Sequence, residues 1–150
     1  MKIHFRLGWA RGGLARKHYK NASYHELFSE YLQRISHFAP CAASGVDLAK
    51  KGDGKTKVWF CHSSRDSKMF SSEELARELE KWNLSGTRQL EIVIGSADGF
   101  SKQDLILWKP DLLWSFGPMT LPHELASVVA AEQVYRAFTI LKNFPYHAAH

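Results

Sequence analysis

The residues able to do chemistry gather at the two ends of one stretch. Thr120-Leu121-Pro122-His123 precedes a helical pattern, and Pro145-Tyr146-His147 follows it. A helix needed only for packing does not require ends that are polar or special in shape. Gly95-Ser96-Ala97-Asp98-Gly99 and Gly117-Pro118 form two further turns, where missing side chains let backbone groups approach a ligand closely. Several familiar chemistries are excluded by spacing. His123-Glu124 would open a zinc-protease motif only with a histidine at 127, and that residue is Ser127. The G-x-x-x-G spacing is not a dinucleotide fingerprint. The KKGDGKT run (50–56) has Ala49 where a phosphate-binding loop needs its earlier glycine. It reads as a surface turn. Cys41 and Cys61 form no C-x-x-C, so they read as two reduced thiols.

The elements that would position these residues follow from periodicity. Ile3, Phe5 and Leu7 alternate as a strand, and 8–20 reads as a glycine-rich basic loop. Ser23-x-x-Glu26 suggests a capping box before a helix with Tyr24, Leu27, Phe28, Tyr31, Leu32 and Ile35 on one face. A strand is expected near 46–48 and another over 57–61. Ser71-x-x-Glu74 opens a second helix with Leu75, Leu79 and Trp82 inward, closed near Gly86. Strands over 90–94 and 112–116 enclose a short helix over 101–108 that stops before Pro110. In the long C-terminal helix Pro122 suits the first helical position and Glu124 the first turn. Leu125, Val128, Ala131, Val134 or Tyr135, Phe138 and Leu141 make one stripe, and Pro145 ends it. Strands alternating with helices imply one α/β domain with a mostly parallel sheet, whose ligands gather beyond the carboxyl ends of strands. Three strand exits therefore matter, at Ser63-Ser64, at 95–99 and at 116–121.

Hydrophobic content of 45% against 23% charged residues argues for a packed core. No apolar run is long enough to cross a membrane and the N-terminus lacks a signal-peptide pattern, so a soluble, cytoplasmic protein is expected. The net charge of +5 is uneven. Residues 1–57 carry 11 Lys/Arg against 4 Asp/Glu, whereas residues 58–150 carry 9 against 11. The excess, at Lys2, Arg6, Arg11, Arg16, Lys17, Lys20, Lys50, Lys51, Lys55 and Lys57 among others, would attract a phosphate backbone.

The run PMTLPHELA (118–126), then EQVYRAF (132–138), then PYH (145–147) resembles the RlmH family of SPOUT methyltransferases. The likeness continues through 94–99 and SSEELARELEKW (71–82). It is strong over roughly the last eighty residues and weaker before them. The resemblance implies a knotted α/β fold, with a C-terminal trefoil knot whose loops hold S-adenosylmethionine bent. Carried over by position, the cofactor pocket would be Ser63, Gly95, Phe116, Gly117, Pro118, Met119, Thr120 and Leu121. It further implies methylation at N3 of a pseudouridine in large-subunit ribosomal RNA on the assembled ribosome, by a homodimer and without a metal. His147 would take the imide proton, Tyr146 would orient the base, and Arg136 would face a phosphate or the imide anion. His123 would fix the loop. The chain departs from the family pattern at Ser63-Ser64, at Ser96, at Ser127 where arginine is expected, and at Ala148 after Tyr-His. The basic N-terminal third or His150 could replace the two missing cations.

Overall fold

The computed structural model describes residues 1–46 and 54–148. Among these, the chain runs through β1 (Lys2–Leu7), a 3-10 turn (Arg16–His18), α1 (Ala22–Ile35), β2 (Cys41–Gly45), β3 (Thr56–Cys61) and β4 (Lys68–Met69). It continues through α2 (Ser72–Leu84), β5 (Gln89–Ile94), α3 (Lys102–Trp108), β6 (Leu112–Ser115) and α4 (His123–Leu141). The strands form one sheet in the order β2-β1-β5-β3-β6-β4, with every pairing parallel. Parallel strands need crossovers, and α1, α2 and α3 supply those from β1 to β2, from β4 to β5 and from β5 to β6.

Alternation decides which face each strand residue occupies. Ile3, Phe5 and Leu7 point with Leu90, Ile92, Trp59 and Trp114 into the main core. That core is closed by α1, α4 and α2 on one side of the sheet, with α4 packed between the other two. Val58, Phe60 and Val93 face the other side, beneath Phe100, Leu105 and Trp108 of the α3 region. Small residues suit α4 to its central place. Ala126, Ala130, Ala131 and Ala137 are buried along with Val128 and Val134, whereas Leu125, Tyr135, Phe138 and Leu141 of the expected stripe are half-buried.

The capping box at Ser71 and Glu74 is present, with Glu74 N–H donating to the Ser71 hydroxyl (3.1 Å). Other boundaries shift for visible reasons. Asn21, not Ser23, caps α1, because its side chain accepts from Ser23 N–H (2.9 Å). Pro122 is extended and serves as the N-cap of α4, its carbonyl accepting from Ala126 N–H (2.8 Å). The far end of α4 is stopped before Pro145 is reached. Asn143 turns left-handed (φ 57°), Phe144 N–H returns to the Thr139 carbonyl (2.9 Å), and Asn143 N–H reaches that of Ile140 (3.3 Å). This is a Schellman motif. The second strand lies at Cys41–Gly45, ahead of the stretch expected near 46–48. Residues 47 and 48, most of the KKGDGKT turn including Lys50 and Lys51, and His150 lie outside the described residues.

One expectation about charge is corrected. Arg6 belongs to the face of β1 opposite Ile3, Phe5 and Leu7, and its side chain is only 6% exposed. Its guanidinium donates to both carboxylate oxygens of the fully buried Glu91 (2.6 and 3.1 Å) and to the Ser44 hydroxyl. It therefore adds nothing to the basic surface. His4 shares this cluster through Ser44 (2.9 Å), and burial, followed by the nearby Arg6 charge, lowers its pKa from 6.5 to about 4. The imidazole stays uncharged in the fold while the unfolded chain takes up a proton below 6.5. Stability from this residue is thus complete above pH 6.5 and lost as pH falls towards 4. Urea titrations across that range should show a fall that His4→Gln reduces; equal slopes would exclude the assignment.

Candidate active site

The strand order sets the exits of β5, β3 and β6 side by side, at spacings of about 5 Å. Beyond them, against the N-terminal end of α4, lies a cleft of about 560 Å³. Seven of the eight residues expected to hold a cofactor line it: Ser63, Gly95, Phe116, Gly117, Met119, Thr120 and Leu121. Pro118 does not. The lining also includes Cys61, His62, Phe100, Trp114, His123 and Ala126, which the sequence reading did not assign to a cofactor. Cys61 and Trp114 were legible as strand residues, but their exposure to the cleft depends on neighbouring strands.

Glycine suits two of these turns. Gly117 has φ 116°, a region that side chains rarely enter. A β-carbon at Gly95 would fall 3.2 Å from the Gly99 backbone, because Gly99 N–H closes the turn onto the Ser96 carbonyl (2.8 Å). Among the described residues the lining contains no Asp, Glu, Lys or Arg, so backbone groups and aromatic faces dominate it. Burial pushes the Cys61 thiol far above its ordinary range, which leaves it protonated and a poor nucleophile.

Arg136, Tyr146 and His147 meet at the other end of α4. The Schellman turn sends the tail back along the helix, where Tyr146 packs edge-on to Tyr135 (centroids 4.7 Å apart) and beneath the Arg136 guanidinium (4.8 Å). Glu132 ties the group together, accepting from Arg136 Nε (3.0 Å) and from the Tyr146 hydroxyl (3.1 Å). Burial, with help from Tyr31 and Glu132, raises the Tyr146 pKa, so the hydroxyl remains a donor. His147 Nδ1 lies 3.1 Å from an Arg136 nitrogen, and Nε2 lies 2.7 Å from a Glu73 oxygen. Guanidinium only donates, so Nδ1 accepts; Nε2 carries the proton and donates to Glu73. Both ring nitrogens are engaged in this arrangement.

This group is remote from the cleft of the same chain. Ala126 lines the cleft, and ten further residues of helix bring Arg136 about 15 Å along the axis. A second hollow, of about 410 Å³, lies between: it shares Trp114, Ser115, Phe116 and Gly117 with the cleft and reaches Ser71 and Gln133.

Position 127 is buried. The Ser127 hydroxyl donates to the Glu124 carbonyl (2.7 Å) and pairs with the Tyr19 hydroxyl (2.7 Å). His123, at the cleft, meets the Trp9 ring edge-on at 4.6 Å. Its Nε2 lies 3.8 Å from Glu124.

A family model described as "Predicted SPOUT methyltransferase" matches residues 14–147. The chain is 36% identical to "Ribosomal RNA large subunit methyltransferase H" of Koribacter versatilis (strain Ellin345) over 139 residues, 87% of this chain and 92% of the relative. It is 34% identical to the protein of the same name in Stenotrophomonas maltophilia (strain R551-3) over 140 residues, 81% and 88% of the two chains. Among solved structures, a "probable methylase family protein" from Haemophilus influenzae Rd KW20 superposes with a TM-score of 0.56 at 10% identity. That match covers 94% of this chain and 66% of the other, slightly under two thirds of its length, and speaks to fold alone. The parallel sheet with its glycine-bounded cleft and the match over nearly the whole sequence lead to one conclusion: the chain belongs to the SPOUT methyltransferase family.

Proposed function

We propose that this protein methylates large-subunit ribosomal RNA with S-adenosylmethionine, at N3 of a pseudouridine on the assembled ribosome. It does so as a cytoplasmic homodimer with its C-terminal part threaded as a trefoil knot. The observation that carries the reading is the convergence of three adjacent strand exits on one cleft that, among the described residues, holds no Asp, Glu, Lys or Arg. Its volume of about 560 Å³ is in the range of small-molecule pockets. Phe116, Met119 and Leu121 can cover the faces of an adenine, and backbone N–H and C=O groups around Gly95 and Gly117 can read its edge. When bound, S-adenosylmethionine supplies an electrophilic sulfonium methyl group.

The remaining work belongs to the chain. Methylation at N3 replaces an N–H by N–CH₃, so the imide must lose its proton to a base. His147 is that base, Tyr146 orients it, and Arg136 stabilises the developing imide anion. Proton transfer requires a free ring lone pair, so the contact of His147 Nδ1 with Arg136 opens when RNA binds, while Nε2–H stays on Glu73. Because this group is about 15 Å along α4 from the cleft, a second copy of the chain brings its own tail to each cleft. The half-buried Leu125 and Val129 on α4 supply apolar surface for that pairing.

A second reading, a ribosome-binding relative without catalysis, draws on the closed state of His147. Labelled-methyl transfer to ribosomes lacking the modification, followed by mapping of the labelled nucleotide, decides between them. Transfer to a pseudouridine supports the enzyme reading; calorimetric donor binding without transfer favours the alternative. Stretching the protein by its termini tests the threading. A knotted chain stops short of the extended length of about 500 Å, and full extension overturns the knot.

A further inference from the structure

The loop between β1 and α1, residues 8–20, is not used by the chemistry above. It contains Arg11, Arg16, Lys17 and Lys20 and no acidic residue. All four cations are exposed, and none forms an ion pair among the described residues. Surface cations are usually just solvated, so the position and rigidity of this loop decide the matter.

The start of the loop is fastened to the walls of the donor cleft, and its end to the first turns of α4 beside that cleft. At its start, Gly8 N–H donates to the Ile94 carbonyl (2.8 Å), and a β-carbon at Gly8 would fall 2.9 Å from Ser96 N. Ile94 and Ser96 line the cleft. Trp9 then rests against His123, which also lines the cleft, and its indole N–H holds the His18 carbonyl (2.9 Å). Mid-loop, Gly45 N–H reaches the Gly12 carbonyl (2.7 Å). At its end, the buried Tyr19 pairs with Ser127. The N–H groups of Lys20 and Asn21 donate to the Glu124 carboxylate (3.0 and 3.1 Å). Those bonds occupy the nearest acid on α4, and it is itself buried. The cations are therefore held on a fixed backbone beside the cleft, with much of the ordering cost of a flexible arm already met in folding.

We infer that the 8–20 loop is a phosphate-binding arm, in which Arg11, Lys17 and Lys20 grip the RNA backbone next to the nucleotide presented to the donor cleft. Arg16, whose guanidinium donates to the Tyr19 carbonyl (2.9 Å), shapes the arm from within. The arm also supplies positive charge at a place where α4 supplies none, since Ser127 is neutral and is joined to the arm through Tyr19. The substrate class rests on the RNA-methylation reading; the test separates the two.

The triple variant R11Q/K17Q/K20Q is compared with R77Q/K81Q, which removes exposed charge from α2. Ribosome affinity is measured without turnover, as a function of salt, and methyl transfer is measured separately. The triple variant should bind ribosomes about tenfold or more weakly, and its log Kd against log salt slope should flatten by about two to three. Its KM for ribosomes should rise with kcat unchanged, while R77Q/K81Q behaves as the parent. Unchanged affinity and slope in the triple variant, or equal losses in both variants, overturn the arm. If the parent binds ribosomes but transfers no methyl group, the RNA-methylation reading fails while the binding comparison still decides the arm. Calorimetry with S-adenosylmethionine confirms that the triple variant is folded and keeps its donor cleft.

Discussion

His147→Ala should reduce methyl transfer by about a hundredfold to ten-thousandfold, the usual worth of a positioned general base, while leaving donor affinity unchanged. The separation of the two effects comes from geometry. His147 is anchored to Glu73 and Arg136, about 15 Å along α4 from the donor cleft of its own chain. A residue holding the cofactor would change donor affinity, and a residue holding RNA would raise KM. A loss confined to kcat identifies a group acting on the reacting atoms. Single-turnover transfer with saturating donor and ribosomes, beside calorimetry with the donor alone, gives both readings. Equal turnover in the variant and the parent would remove His147 as the base.

Glu91→Ala should cost about 3–5 kcal/mol of stability, the penalty for leaving a buried charge without its partner. Arg6 loses both guanidinium–carboxylate bonds in this variant and keeps only Ser44, and Gln89 also loses its acceptor on Glu91 (2.7 Å). Against a typical total of about 5–15 kcal/mol, the variant should be marginal at 37 °C and its midpoint should fall by about 10 °C. The double variant R6M/E91L provides the control. Replacing both ions by apolar side chains removes the cost of burying charge, so much of the loss should return. Urea unfolding of all three proteins checks this, and a loss below about 1 kcal/mol in Glu91→Ala would show that Arg6 finds water instead.

These two sites mark what the sequence made legible. Local chemistry spoke clearly where it decided the structure. Ser71 and Glu74 announced the start of α2, and the alternation of Ile3, Phe5 and Leu7 announced β1. The glycine-bounded turns after β5 and β6 stood out, as did the apolar residues between Phe116 and Leu121, and they line one cleft. Contacts between distant residues left no such trace. Arg6 reads as a surface cation until β5 is laid beside β1 and Glu91 comes within reach. Tyr19 and Ser127 are 108 positions apart, and neither residue type asks for the other. Asn21 outcompetes Ser23 as the cap of α1 only because its side chain reaches the Ser23 N–H. β4 has two residues, too few for any periodicity, and exists because β6 offers it an edge.

The left-handed Asn143 that reverses the chain after α4 makes the tail a pointer whose bearing is set by helix length. Each residue of helix turns the pointer by about 100° and advances it by 1.5 Å. One residue inserted between Ala131 and Leu141 would swing Tyr146 and His147 a quarter-turn or more around the axis, away from Glu73, even with every side chain retained. The place of this tail therefore depends on a count of residues as much as on their identities.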